Sequence, residues 1–161
     1  MIPLKQLTKL VIESYKCPFE EIVKLLCFTL NFDTLKLHLL CLKENDIELI
    51  AKSENFQHVE KTNKIKNFDL RCAYSYKVMQ LIVNLFSKLE YLKTRMNRKE
   101  IEQIVRFILS KPNNEIQNLV FICISETPKI CLKELNFLIK LENLLHHYFI
   151  TFINRDLYLW W

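Results

Sequence analysis

The chain has 161 residues, half of them apolar, so it is long enough for one ordinary domain or two very small ones and can bury a real core. It contains no glycine, which excludes the Gly-rich loops that bring a backbone close to a phosphate or dinucleotide, and with them P-loop and Rossmann sites. The formal net charge of +5 arises from 23 basic and 18 acidic residues spread along the chain, far from a polybasic nucleic-acid arm.

Alanine occurs only at Ala51 and Ala73, while Lys, Asn, Ile, Phe, Leu and Tyr are abundant, a bias that points to an AT-rich genome such as that of a virus or an intracellular parasite. The N-terminus lacks the charged and apolar regions of a secretory signal, and the longest uncharged apolar run, about eleven residues, is too short to span a membrane. A cytoplasmic or nuclear protein is expected.

Along the chain, Leu4, Leu7, Val11 and Tyr15 recur at helical spacing and predict an amphipathic helix over 3–16. Pro18 suits the start of a second helix, with Glu20 and Glu21 at its positive end and Phe19, Ile22, Val23 and Leu26 as its buried stripe. Asp33 is placed to cap a third helix through Lys43. A turn at Asn45-Asp46 leads to a short strand over 47–52, and 53–67 reads as a polar loop. The alternation of Phe68, Leu70, Cys72 and Tyr74 with Asp69, Arg71, Ala73 and Ser75 marks a half-buried strand. Val78, Leu81, Ile82, Leu85, Phe86, Leu89 and Leu92 predict one long helix, and Asn97 caps another through Ser110. Residues 113–125 fit either a buried strand or a buried helix. Thr127-Pro128 begins a further helix with a narrow polar stripe. Apolar runs on both sides of Asn154-Arg155-Asp156 predict a terminal β-hairpin.

Helix, helix, helix, strand, polar loop, strand is the order of a winged-helix domain. Pro18 to Ile50, "PFEEIVKLLCFTLNFDTLKLHLLCLKENDIELI", resembles a helix-turn-helix entering a wing, and Asn67 to Met96, "NFDLRCAYSYKVMQLIVNLFSKLEYLKTRM", resembles a second wing strand running into a long helix. The pattern is similar to the N-terminal domain of the α subunit of TFIIE, its archaeal relative TFE, and the winged-helix subunit of RNA polymerase III. Two departures stand against it: the wing has no glycine, and no zinc-ribbon cysteines follow. The resemblance implies a mainly α fold with small β wings. It divides the chain into a winged helix over 1–76, a connecting helix over 77–96, and a second, degenerate winged-helix-like domain over 97–161. It also implies a protein-binding scaffold of transcription type.

For chemistry, His146 and His147 have no nucleophile or carboxylate at a spacing that organises a triad, so no enzyme is expected. The six cysteines show no CxxC and, with His38, His58, His146 and His147, complete no ligand set, so no metal or cofactor is expected. Candidate contacts to an acidic partner or nucleic-acid backbone are Lys61, Lys64 and Lys66 in the wing loop and Lys93, Arg95, Arg98 and Lys99 at a helix junction. Tyr158, Trp160 and Trp161 are candidates for a partner interface, because terminal tryptophans are costly to leave in water. The expected role is a non-enzymatic adaptor in a multi-subunit assembly, with at most weak, non-specific nucleic-acid contact and neither membrane nor small-molecule substrate. The alternative is an all-helical, Bcl-2-like viral protein that holds a partner helix in an apolar groove.

Overall fold

The computed structural model describes residues 8–13, 17–29, 31–110 and 118–161. One four-residue pattern recurs through it. Lys9–Ile12 (β1), Thr34–Leu37 (β2), Asn67–Tyr74 (β3), Tyr91–Met96 (β4) and Phe121–Ile124 (β5) are strands, and the second residue of each is apolar: Leu10, Leu35, Phe68, Leu92 and Ile122. Because successive strand side chains point to opposite faces, these residues and those two places on share one side of a sheet.

The strands run parallel in sequence order, with Lys9, Thr34, Asn67, Tyr91 and Phe121 aligned in a single row. A repeated hydrogen-bond arrangement sets that alignment. The Thr8 carbonyl accepts from the N–H groups of Asp33 and Thr34 (2.9 and 3.1 Å), the Asp33 carbonyl from Lys66 and Asn67 (2.8 and 2.9 Å), and the Lys66 carbonyl from Glu90 and Tyr91 (2.8 and 2.9 Å). The strands therefore start level with one another, and the β3–β4 pairing shifts register only further on, between Leu70 and Ala73.

Parallel neighbours need crossovers, and the described helices supply them: Phe19–Phe28 (α1), Ile47–Ala51 and Glu54–Thr62 (α2 and α3), Tyr76–Leu85 (α4) and Ile101–Ser110 (α5). With strands in sequence order, right-handed crossovers put every helix on the same side of the sheet. The packing agrees, since α1 meets α3, α3 meets α4 and α4 meets α5 in one layer. Strand starts recur every 24 to 33 residues, giving a short, one-sided solenoid of strand-plus-helix units.

The C-terminal end breaks the rule. After Ile130–Leu141 (α6), the strands Phe149–Ile153 (β6) and Asp156–Trp160 (β7) form a hairpin, and β7 lies antiparallel to β5, giving the order β1-β2-β3-β4-β5-β7-β6. The two-residue loop places Asn154 and Arg155 at φ 51° and 71°, the left-handed region that a type I′ turn demands. In a chain without glycine, Asn143 and Glu126 take the remaining positive-φ positions among the described residues.

The core lies between sheet and helices, where Phe68 packs on Phe86 with ring centroids 5.1 Å apart. Its polar keystone is the buried Asn63, whose amide donates to the carbonyls of Val59 (2.8 Å) and Leu85 (2.9 Å) while its oxygen accepts from the Ile65 N–H (3.2 Å). One side chain thereby ties the end of α3 to the end of α4 and fixes entry into β3.

Several expectations are corrected. The fold is α/β, with about 41% of the described residues in helix and 27% in strand around one mixed sheet, and not mainly α with tandem winged helices. The sheet and core continue across residues 76 and 96, where the winged-helix reading divides the chain. Most of 3–16 lies outside the described residues, but Lys9–Ile12 is strand. Helix was expected over 33–43 and strand over 47–52; the structure has β2 in the first and α2 in the second. A helix over 33–43 would be apolar nearly all round, whereas β2 buries Leu35 and Leu37 and leaves Thr34 and Lys36 on the other face. The polar stretch 53–67 holds α3, capped by Ser53 and burying only Phe56 and Val59. The long helix ends at Leu85, and β4 follows. The strand at 68–75, the helices starting at Phe19 and near Asn97, and the terminal hairpin form as expected; Phe19, Ile22, Val23 and Leu26 are the buried stripe of α1.

Candidate interaction surface

One face of the sheet is covered by helices and the other carries none of the described helices. On the open face the register builds two rows. The first runs Lys9, Thr34, Asn67, Tyr91, Phe121, Trp160, Phe149; the second runs Val11, Lys36, Asp69, Lys93, Cys123, Tyr158, Thr151.

The first row becomes an aromatic ladder. Tyr91 stacks on Phe121 (4.9 Å, 12° between planes), Phe121 on Trp160 (6.0 Å, 17°) and Trp160 on Phe149 (4.5 Å, 28°). These separations are close to the spacing of neighbouring strands, about 4.8 Å. The rings therefore turn their faces to one another and their edges outward. Ring edges carry the positive side of the aromatic quadrupole, so the ladder presents an apolar strip that favours carbonyl and carboxylate neighbours.

The ladder stops at β3, where Asn67 and Thr34 replace aromatics. A hollow of about 360 Å³ opens there, lined by Thr34, Lys36, Asn67, Phe68, Asp69, Tyr91 and Lys93. Its cations are held by acids. Lys36 Nζ lies 3.3 Å from Asp69 Oδ2, and Lys93 Nζ lies 3.4 Å from Asp156 Oδ2. The other Asp69 oxygen, Oδ1, is buried without a hydrogen-bond partner among the described residues.

Titration behaviour follows from this crowding. Desolvation opposes the Lys93 ammonium, yet the Asp156 carboxylate beside it favours the charged form, and its pKa lies above the ordinary lysine value. Burial raises the Tyr91 phenol and the Cys123 thiol, so Cys123 stays protonated and is no activated nucleophile. At the end of β3, burial pushes Tyr74 up to about 12, and its hydroxyl bonds both the N–H and the carbonyl of Leu40.

The structure divides the residues singled out from sequence. Lys93 and Arg95 belong to β4, and Arg95 pairs with Glu126 across the open side (2.5 Å). Arg98 turns to Glu134 of α6 (3.7 Å), and Lys99 is exposed beside it. Lys61 and Lys64 are exposed around the end of α3, and Lys66 pairs with Glu90 (2.7 Å). Of the aromatic trio, Trp160 is 38% exposed in the ladder and Tyr158 lies in the second row, whereas Trp161 packs against the core. Tyr91, Phe121, Phe149, Lys36 and Asp69 were not anticipated. The signal that would have found them is the tetrad repeated as Thr-Leu-Lys-Leu, Asn-Phe-Asp-Leu and Tyr-Leu-Lys-Thr, whose first and third residues make the open face.

A second hollow, about 480 Å³, sits at the start of α1 between Pro18, Cys41 and Ile50. Its lining carries two acids, Glu20 and Asp46, against one cation, Lys43, a balance that does not favour an anion at the helix terminus. None of the described helices is long and apolar enough to cross a membrane. No protein-family model, curated protein or solved structure matches this chain.

Proposed function

We propose that the chain is a non-enzymatic protein-interaction module, an adaptor whose protein partner docks on the open face of the sheet. The observation that carries this reading is the aromatic ladder from Tyr91 to Phe149, which no described helix covers, beside a row of ion pairs. An apolar strip rimmed by satisfied charges is the anatomy of a protein interface. Helices are about 10 Å across and strands about 4.8 Å apart, so a one-sided stack bends toward its strands and cups whatever lies on them.

Nucleic acid is disfavoured on the same geometry. A base-binding sheet offers ring faces, but here the faces are spent on mutual stacking. The cations of the face are largely paired with carboxylates, which leaves little charge for releasing phosphate counterions. The helix-binding alternative needs an all-helical fold with an apolar groove between helices, whereas the exposed apolar strip of this α/β fold lies on a sheet.

The test compares three immobilised proteins by quantitative mass spectrometry of what they retain from native cells: wild type, Tyr91→Ala/Trp160→Ala on the open face, and Phe137→Ser on the exposed outer side of α6. A protein set retained by wild type and the α6 variant, and reduced at least tenfold with the open-face variant, is expected. Undiminished retention by the open-face variant would reject the reading. So would tight DNA or RNA binding at low salt that falls steeply as salt rises.

A further inference from the structure

β6 forms one end of the sheet, and among the described residues no strand pairs with its outer edge. Sheet edges are normally blunted by Lys, Pro, bulges or shortness. β1, at the opposite edge, has four residues and begins with Lys9. β6 has five residues, Phe-Ile-Thr-Phe-Ile, with no charge and no proline. Its terminal residues Phe149 and Ile153 are 54% and 52% exposed.

The hairpin determines which backbone groups this edge offers. A two-residue loop is closed by a hydrogen-bonded pair, here Ile153 with Asp156. Backbone groups alternate sides along a strand, so those of Ile153, Thr151 and Phe149 point to β7, and the N–H and C=O groups of Ile150 and Phe152 point outward. These outward groups are symmetric about Thr151.

We propose that β6 pairs antiparallel with β6 of a second copy of this chain about a two-fold axis through Thr151. Under that symmetry Ile150 exchanges both hydrogen bonds with Phe152 of the second copy, and Phe152 with its Ile150. Thr151 faces its own counterpart as a non-hydrogen-bonded pair. Phe149 meets Ile153 on the open face, and Ile150 meets Phe152 on the helix side. The sequence suits this register because it is apolar, apolar, Thr, apolar, apolar in either direction, so no like charges meet at the axis. An axis perpendicular to the sheet keeps both helix layers on one side and joins the two open faces. The inference does not depend on the docking proposed above, because it uses only the strand edge.

Light scattering at about 100 μM should give twice the 19.5 kDa chain mass. Thr151→Lys, which sets two ammonium groups against each other at the axis, should return a monomer whose circular-dichroism spectrum matches wild type, with a lower unfolding temperature because the association no longer contributes. Opposed non-hydrogen-bonded residues have Cβ atoms about 4.5 to 5.5 Å apart, within reach of a disulfide after small adjustment. Mild oxidation of Thr151→Cys should therefore give a linked pair whose peptide map joins position 151 to position 151, and this conservative variant decides the matter even if Thr151→Lys fails to fold. A wild-type monomer at that concentration overturns the proposal, as does a dimer that yields no linkage at 151.

Discussion

The two faces of the sheet share the same strands, yet they answer to different demands. On the helix side Leu35, Phe68, Leu70, Leu92 and Ile122 are buried and almost wholly apolar, and Thr94, the exception, bonds its hydroxyl to the Arg95 carbonyl (2.9 Å). On the other side adjacent residues of the same strands are Lys36, Asp69, Tyr91 and Lys93, half-buried, charged or aromatic. Sequence-local crossovers close one face, and among the described residues no helix covers the other. Stability should therefore be concentrated on one side of each strand, and docking capacity on the other.

The largest effect is expected on β3, where Phe68 and Asp69 are neighbours facing opposite ways. Phe68 is 1% exposed and packs on Phe86, so Phe68→Ala leaves a cavity that the stacked units cannot close. A loss of about 3 to 5 kcal/mol is expected, read from urea unfolding of the full chain. A loss below about 1 kcal/mol would mean that the helix-side core is not the source of stability.

What sequence reasoning could read follows the same division. Elements whose signal is local were legible: the α1 stripe from Phe19 to Leu26 has helical period, and Asn154-Arg155 is a turn pair that specifies its own hairpin. The strand at Phe68 was legible because it alternates. The parallel strands β1, β2, β4 and β5 were not, since each is four to six residues long and apolar runs of that length fit helix and strand equally well. Leu35 and Leu37 can be counted as part of a helix, and only pairing with β1 and β3, distant in sequence, makes them strand. The open face was missed for the same reason. Tyr91, Phe121, Trp160 and Phe149 become one ladder through register alone, and the basic cluster at Lys93 to Lys99 gains its acids from Glu126, Glu134 and Asp156, brought in by tertiary structure.

A smaller effect is expected at the rim between the faces. The Tyr74 hydroxyl holds both backbone groups of Leu40, so Tyr74→Phe leaves them unpaired and should cost about 1 to 2 kcal/mol. Burial raises its pKa from the ordinary 10 to about 12, which means the folded state favours the neutral phenol. That contribution is complete below pH 10 and is lost as pH climbs through about 12. Denaturant midpoints measured from pH 8 to 12 should fall more steeply for wild type than for Tyr74→Phe. Parallel curves would show that this tyrosine is solvated in the folded protein.

The smallest effect is expected on the open side itself. Arg95 and Glu126 lie 2.5 Å apart with side chains about half exposed, so solvent screens the pair and ordering two long side chains offsets much of its attraction. Arg95→Ala should change unfolding free energy by less than about 0.5 kcal/mol, measured beside Phe68→Ala under the same conditions. If the open side serves binding, the same substitution should weaken partner retention in the capture experiment, because removing Arg95 frees the Glu126 carboxylate and alters the charge at the rim of the sheet. A stability loss above 1 kcal/mol would give this ion pair a structural duty. The clean separation of a folding face from a docking face would then fail at β4, the strand on which the aromatic ladder begins.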